Sequence, residues 1–102
     1  MVVHQSVDAH AIAKRLAEDV RNDPNVRELW LHESSDTVDL WLITGTIDDE
    51  TELALYEVSG HLYDAFPTRR FRVHVLHPAM FIEGTDLRSL VARGAKRLPL
   101  QP

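Results

Sequence analysis

Apolar residues recur along this chain in two rhythms that replace one another. From Ala9 to Val20 they fall at three- and four-residue spacing, as Ala9, Ile12, Ala13, Leu16 and Val20, which draws one stripe along a helix. Ser6 or Asp8 is placed to cap that helix, and Lys14, Arg15, Glu18 and Arg21 occupy its opposite side. Asn22-Asp23-Pro24-Asn25 then closes it with turn formers and a proline.

Between Val26 and Thr44 the period drops to two. Arg27–His32 and Thr37–Thr44 are rich in Leu, Trp, Val and Ile, and the Glu33-Ser34-Ser35-Asp36 link is short enough only for a hairpin. Alternation assigns Leu29, Leu31, Val38, Leu40 and Leu42 to one face of this antiparallel pair. Glu28, Trp30, His32, Asp39, Trp41 and Ile43 go to the other.

Helical spacing returns after Gly45-Thr46, over about Asp49 to Ala65. Asp49 with Glu52 three residues on spells a capping box, and Asp48, Asp49, Glu50 and Glu52 complement the positive end of the helix dipole. Leu55, Tyr56, Ser59, Leu62, Tyr63 and Phe66 form the expected inner face, with Glu57, His61 and Asp64 outside. Gly60 costs about 1 kcal/mol of helix propensity relative to alanine, so a close helix crossing or a strand contact is expected there. Pro67 ends the helix, and Thr68-Arg69-Arg70 make a basic turn.

Phe71–His77 alternates as a third strand, with Phe71, Val73 and Val75 toward the helices and Arg72, His74 and Leu76 away from them. Because a helical crossover leads to it, this strand should run parallel to the second, with a right-handed connection. Thr85 or Asp86 caps a short helix, LRSLVAR, which Gly94 ends, and Lys96-Arg97-Leu98 adds a brief edge strand. The order α-β-β-α-β-α, with a last β, predicts an α+β fold, a mixed α/β sandwich around a small mixed sheet. Residues 1–102 make a single domain.

Composition narrows the function. A chain of 102 residues buries roughly 65% of its unfolded surface, enough for one core without staples. Eleven Lys and Arg against 16 Asp and Glu leave a net charge of −5, which argues against phosphate backbones as partners and hence against nucleic acid. No cysteine is present, so there is no disulfide framework, and a reducing compartment fits. The first residues lack a signal-peptide pattern and no 18-residue apolar run occurs, so the expectation is a cytoplasmic protein without a membrane segment.

Two constellations carry candidate chemistry. Asp39, His74 and His32 fall on neighbouring strands of one face, and imidazole with carboxylate suits Zn²⁺, Mn²⁺ or Fe²⁺. The competing reading makes Asp39 and His74 a hydrogen-bonded pair, since no H-x-H or H-x-x-x-H spacing supports a metal and no cofactor follows otherwise. His77 lies three residues from His74 and so points to the opposite face. Trp30, Trp41, Ile43 and Leu76 form the second constellation, an apolar patch that needs a cover. The first helix, the Met80-Phe81-Ile82 segment, a partner protein or a second copy of the chain could each supply it. The basic groups Arg69-Arg70-x-Arg72 and Arg88, Arg93, Lys96, Arg97 lack the aromatic interleaving of single-strand binders. Ser34 and Ser35 lack a nucleophile motif, so no catalytic residue is assigned.

A strand, a turn, a second strand of the form x-Asp-h-x-h at Asp39, a helix, a third strand, Pro78-x-x-Phe81 and a closing Gly94-x-x-x-Leu98 resemble the minimal nucleotidyltransferase fold. That resemblance covers about residues 26 to 100. It implies a phosphate-holding Gly-Ser turn and three metal-binding carboxylates. Here His32-Glu33-Ser34-Ser35 takes the place of the turn, Thr37 stands where the first Asp belongs, Asp39 matches the second, and His74 falls at the third. One carboxylate cannot balance two divalent ions. The expectation is therefore a non-catalytic, nucleotidyltransferase-like domain acting through protein contact or homodimerisation. The resemblance also implies an antitoxin-like role. The alternative is a metal- or nucleotide-binding protein, or an enzyme, with its site at Asp39 and His74.

Overall fold

The strand and helix rhythms become α1 (His4–Val20), β1 (Val26–Glu33), β2 (Val38–Thr44), α2 (Asp49–Ala65), β3 (Phe71–Leu76) and β4 (Lys96–Leu98). The protein is described by a computed structural model over residues 4–34 and 36–100. Among these described residues the strands form one sheet in the order β3-β2-β1-β4. β1 and β2 are antiparallel, β2 and β3 parallel, and β4 pairs antiparallel with Leu29–Leu31 of β1. The fold is thus α+β with a mixed sheet, as the order of elements implied.

Local chemistry explains the hairpin. The Ser34 amide donates to the Thr37 carbonyl at 2.9 Å, and the Ser34 hydroxyl donates to the same oxygen at 3.0 Å. This closes the turn and sets Trp30 opposite Trp41 and His32 opposite Asp39. With register fixed, the period of two sends every leucine of β1 and β2 to one side.

That side is where both helices pack. Ala9, Ile12, Ala13, Leu16 and Val20 of α1 and Leu55 and Leu62 of α2 join Leu29, Leu31, Val38, Leu40 and Leu42 in one buried cluster with Phe71 and Val75. α1 lies against β1, α2 against β3, and the helices touch each other. β2 is one of the two inner strands and is buried on both faces: Trp41 and Ile43, which point away from the helices, are only 8% and 6% exposed.

Several expectations shift. α1 begins at His4, so Ser6 and Asp8 lie inside the helix rather than at its cap. α2 is capped by Asp48, whose carboxylate accepts from the Thr51 amide at 2.8 Å, one residue ahead of the expected Asp49. Asp48 is extended, at φ −87° and ψ 173°, as an N-cap requires, whereas Asp49 is already helical. Tyr56 and Tyr63 are exposed rather than inner, because the buried arc of α2 is the narrower one through Leu55, Ser59 and Leu62. Tyr63 instead folds along the sheet edge. Its ring stacks on Phe71 at 4.4 Å and its hydroxyl donates to the Phe71 carbonyl at 3.1 Å.

Gly60 has no neighbour within 4 Å of the position its Cβ would take, so neither the expected close crossing nor a strand contact is made among the described residues. The last helix shrinks to a 3-10 turn at Leu87–Leu90, capped by Asp86 on the Arg88 amide, and a further 3-10 turn forms at Pro78–Met80. Gly94 follows with φ +88°, a conformation that favours glycine and stops any continuation.

Candidate functional site

The face turned from the helices collects the polar candidates in two clusters. In the first, alternation on β2 and β3 brings Asp39 beside Arg72, its partner in register, and beside His74 two residues on. His74 Nε2 lies 3.0 Å from Asp39 Oδ1 and donates to it, since an ionised carboxylate only accepts. Arg72 Nε donates to the same oxygen at 3.0 Å, and its Nη2 reaches Oδ2 at 3.5 Å. The His74 imidazole in turn stacks on Trp41, with centroids 5.2 Å apart and planes 22° from parallel. At the end of β1, Arg69 Nη2 donates to Glu33 at 3.1 Å, while Arg69 Nε is buried without a partner among the described residues.

The second cluster is centred on Glu28. Its carboxylate accepts from Arg88 Nε at 3.0 Å to each oxygen, from Arg88 Nη2, and from the Trp30 indole at 2.9 Å. Arg88 stands on the 3-10 turn Leu87–Leu90, sixty residues along the chain, so the stretch after β3 returns across this face. α1 does not cover the tryptophans, because it packs on the opposite side. This fork was not legible in advance, since nothing local links Glu28 to Arg88.

Both carboxyl groups lie below their ordinary range. For Glu28 the Arg88 hydrogen bonds pull it down; burial pushes it up, and the indole and the charges of Arg97 and Arg88 pull it down further. For Asp39 burial pushes upward most strongly, but the hydrogen bonds from His74 and Arg72 and their charges outweigh it. Each group therefore binds protons more weakly folded than unfolded. The stability this confers is present above the unfolded values of about 4 and is lost as pH falls through the lower folded values. Urea midpoints of wild type should consequently drop between about pH 6 and pH 3 by more than those of the Glu28→Gln, Asp39→Asn double variant. Equal drops would detach both carboxylates from acid stability.

A third pair lies where α2 leaves the sheet. His77 is 5% exposed, its Nε2 is 3.2 Å from Glu52 Oε1, and among the described residues its buried Nδ1 has no partner. His74 and His77 thus point to opposite sides, as their spacing required.

Of the expected ligand set, Asp39 and His74 meet. His32 is opposite Asp39 in register, yet among the described residues no three His, Cys, Asp or Glu side chains converge as a metal site. Asp39 Oδ1 instead faces a guanidinium, whose positive charge opposes a divalent cation at that position. Of the expected interface set, Trp41 and Ile43 are buried, while Trp30 and Leu76 are half-buried. The large apolar side chains with most free surface lie elsewhere, at Leu53, Tyr56 and Tyr63 on α2 and at Met80, Ile82 and Leu90 after β3. The signal for the α2 set was the spacing of Leu53, Tyr56 and Tyr63, which fits the outer side of the helix once Leu55 and Leu62 fix the inner one. Among the described residues no helix is long and apolar enough to cross a membrane.

No family model matches this sequence. No curated protein and no solved structure matches it either.

Proposed function

We propose that this chain is a non-catalytic domain of nucleotidyltransferase-like architecture that works by protein contact, with the outer stripe of α2 receiving a basic amphipathic segment of a partner. The observation that carries this reading is the coincidence of apolar exposure and acidic charge on that helix. Leu53, Tyr56 and Tyr63 are 61%, 41% and 45% exposed. At about 100° per residue they share, with Gly60, a stripe about 80° wide. Open space over Gly60 leaves a notch in it.

The charge then selects the partner. α2 contains Asp49, Glu50, Glu52, Glu57 and Asp64 and neither lysine nor arginine, which equals the net charge of −5 of the entire chain. A second copy of this chain would bring the same acids to the contact and be repelled. A partner with lysine or arginine flanking an apolar strip is attracted and steered. The resemblance noted above implies an antitoxin-like pairing with a second protein, and a contact helix of this kind fits such a role. A metal- or nucleotide-binding role around Asp39 and His74 has less support, because Arg72 and His74 already occupy that carboxylate.

A synthetic 18-residue leucine-lysine amphipathic peptide is a suitable probe. Calorimetry should find binding that weakens as salt rises and falls at least about tenfold in a Tyr56→Lys, Glu57→Lys variant. Equal affinity of variant and wild type, or a wild type that sediments as a dimer through α2, would overturn the reading.

A further inference from the structure

The opposite end of the sheet carries a basic cleft that the α2 surface does not explain. β4 pairs with Leu29–Leu31 only, so among the described residues the start of β1 has no strand neighbour on that side. In the space left is a cleft of about 460 Å³ lined by Arg21, Arg27 and Arg97 together with Val26, Leu98 and Leu100. Among the described residues no carboxylate lines it. Among the described residues the ion pairs engage Arg15, Arg69, Arg72 and Arg88, but none of these three arginines. In a chain with more acids than bases, three arginines lining one cleft, none of them in an ion pair among the described residues and only Arg97 within reach of the Glu28 charge, are a concentration of positive charge.

Arg27 is placed there by the backbone. The β1–β2 register slips between Val26 and Glu28, so Arg27 is the extra residue of a bulge, a device that re-aims a side chain. Its guanidinium lies against Gly45, where an added Cβ would come within 2.8 Å of Nη2 and 3.1 Å of Cζ. The Gly45 amide in turn donates to the Asn25 carbonyl at 3.1 Å, which holds the two segments together. A glycine and a bulge together thus set the guanidinium at the cleft.

A second cleft of about 400 Å³ adjoins the first and shares Arg21, Leu98, Pro99 and Leu100 with it. Its wall from α1 is made by Ala13 and Ala17 with His10, Lys14 and Glu18 at its margin, and its exposed lining is mainly apolar. From this juxtaposition we infer that the joined clefts bind a small amphiphile, with an oxyanion head on Arg21, Arg27 and Arg97 and an apolar chain between α1 and Leu98–Leu100. Guanidinium groups bind phosphate or carboxylate oxygens through charge-assisted, often bidentate hydrogen bonds, and the alanines leave room for a chain.

Octyl phosphate tests this, with inorganic phosphate and octanol as its separate halves. Calorimetry on the full chain should show octyl phosphate binding at least about tenfold more tightly than either half. Arg27→Gln and Arg97→Gln should each weaken it about tenfold, and Gly45→Ala should do so by displacing Arg27. Circular dichroism would confirm that the variants fold, and the Tyr56→Lys, Glu57→Lys variant should bind as wild type does. The inference is overturned if wild type does not bind octyl phosphate, if either half binds as tightly, or if both arginine variants bind like wild type.

Discussion

Replacing Trp41 by alanine is expected to lower the unfolding free energy by about 3 to 5 kcal/mol, the range for truncating a buried tryptophan. The residue is 8% exposed at the centre of β2, opposite Trp30 and stacked on His74. Its loss would open a cavity between Trp30 and the His74 ring, and would loosen the imidazole that donates to Asp39. Urea unfolding followed by circular dichroism gives the value directly. A loss below about 1 kcal/mol would mean that Trp41 is not part of the core and that its face is open to a partner. Trp30, half-buried and tied to Glu28 through its indole, should cost less when truncated.

Leu40→Ala is the second large effect, at about 3 kcal/mol, because Leu40 is fully buried under the helices and the centre of a sheet collapses poorly around a void. Ile82→Ala, which removes as much apolar bulk from a side chain 86% exposed, should stay within about 0.5 kcal/mol. Measured together by denaturant titration, the two substitutions separate hydrophobicity as such from hydrophobicity placed in the core. Similar costs at both positions would contradict the assignment of faces.

The face assignment was legible in advance because a strand has an exact side-chain period. Once Leu29, Leu31, Val38, Leu40 and Leu42 are set on one side, Glu28, Trp30, His32, Asp39, Trp41 and Ile43 must take the other, and the crossover through α2 makes β3 parallel to β2. Asp39 and His74 therefore had to share a face. The third member of that cluster, Arg72, was assigned to the same face, but its link to Asp39 was missed. Alternation gives a side and not a partner, and the pair is 33 residues apart.

Helix faces were less legible. A helix of seventeen residues that carries Tyr56 and Tyr63 beside Leu55 and Leu62 has an apolar arc wider than the surface available to receive it. Packing against β3 and α1 chose the leucines and left the tyrosines at the rim. The cap of α2 moved by one residue for a similar reason, since Asp48 and Asp49 are equivalent acceptors in sequence and only backbone geometry separates them.

By itself the sequence determined the two long helices, the hairpin, the parallel crossover, the brief edge strand and the division of the sheet into a leucine face and a mixed face, but not that the last expected helix is only a 3-10 turn. These follow from short-range periodicity and from proline and glycine punctuation, which act over a few residues. Tertiary structure alone decided that Trp41 is buried, that Arg88 returns to Glu28, and that the free apolar surface lies on α2. It also decided that a bulge and Gly45 place Arg27 with Arg21 and Arg97 around one cleft. Each of these depends on which distant segment fills a given space, and packing settles that only when the whole chain is assembled.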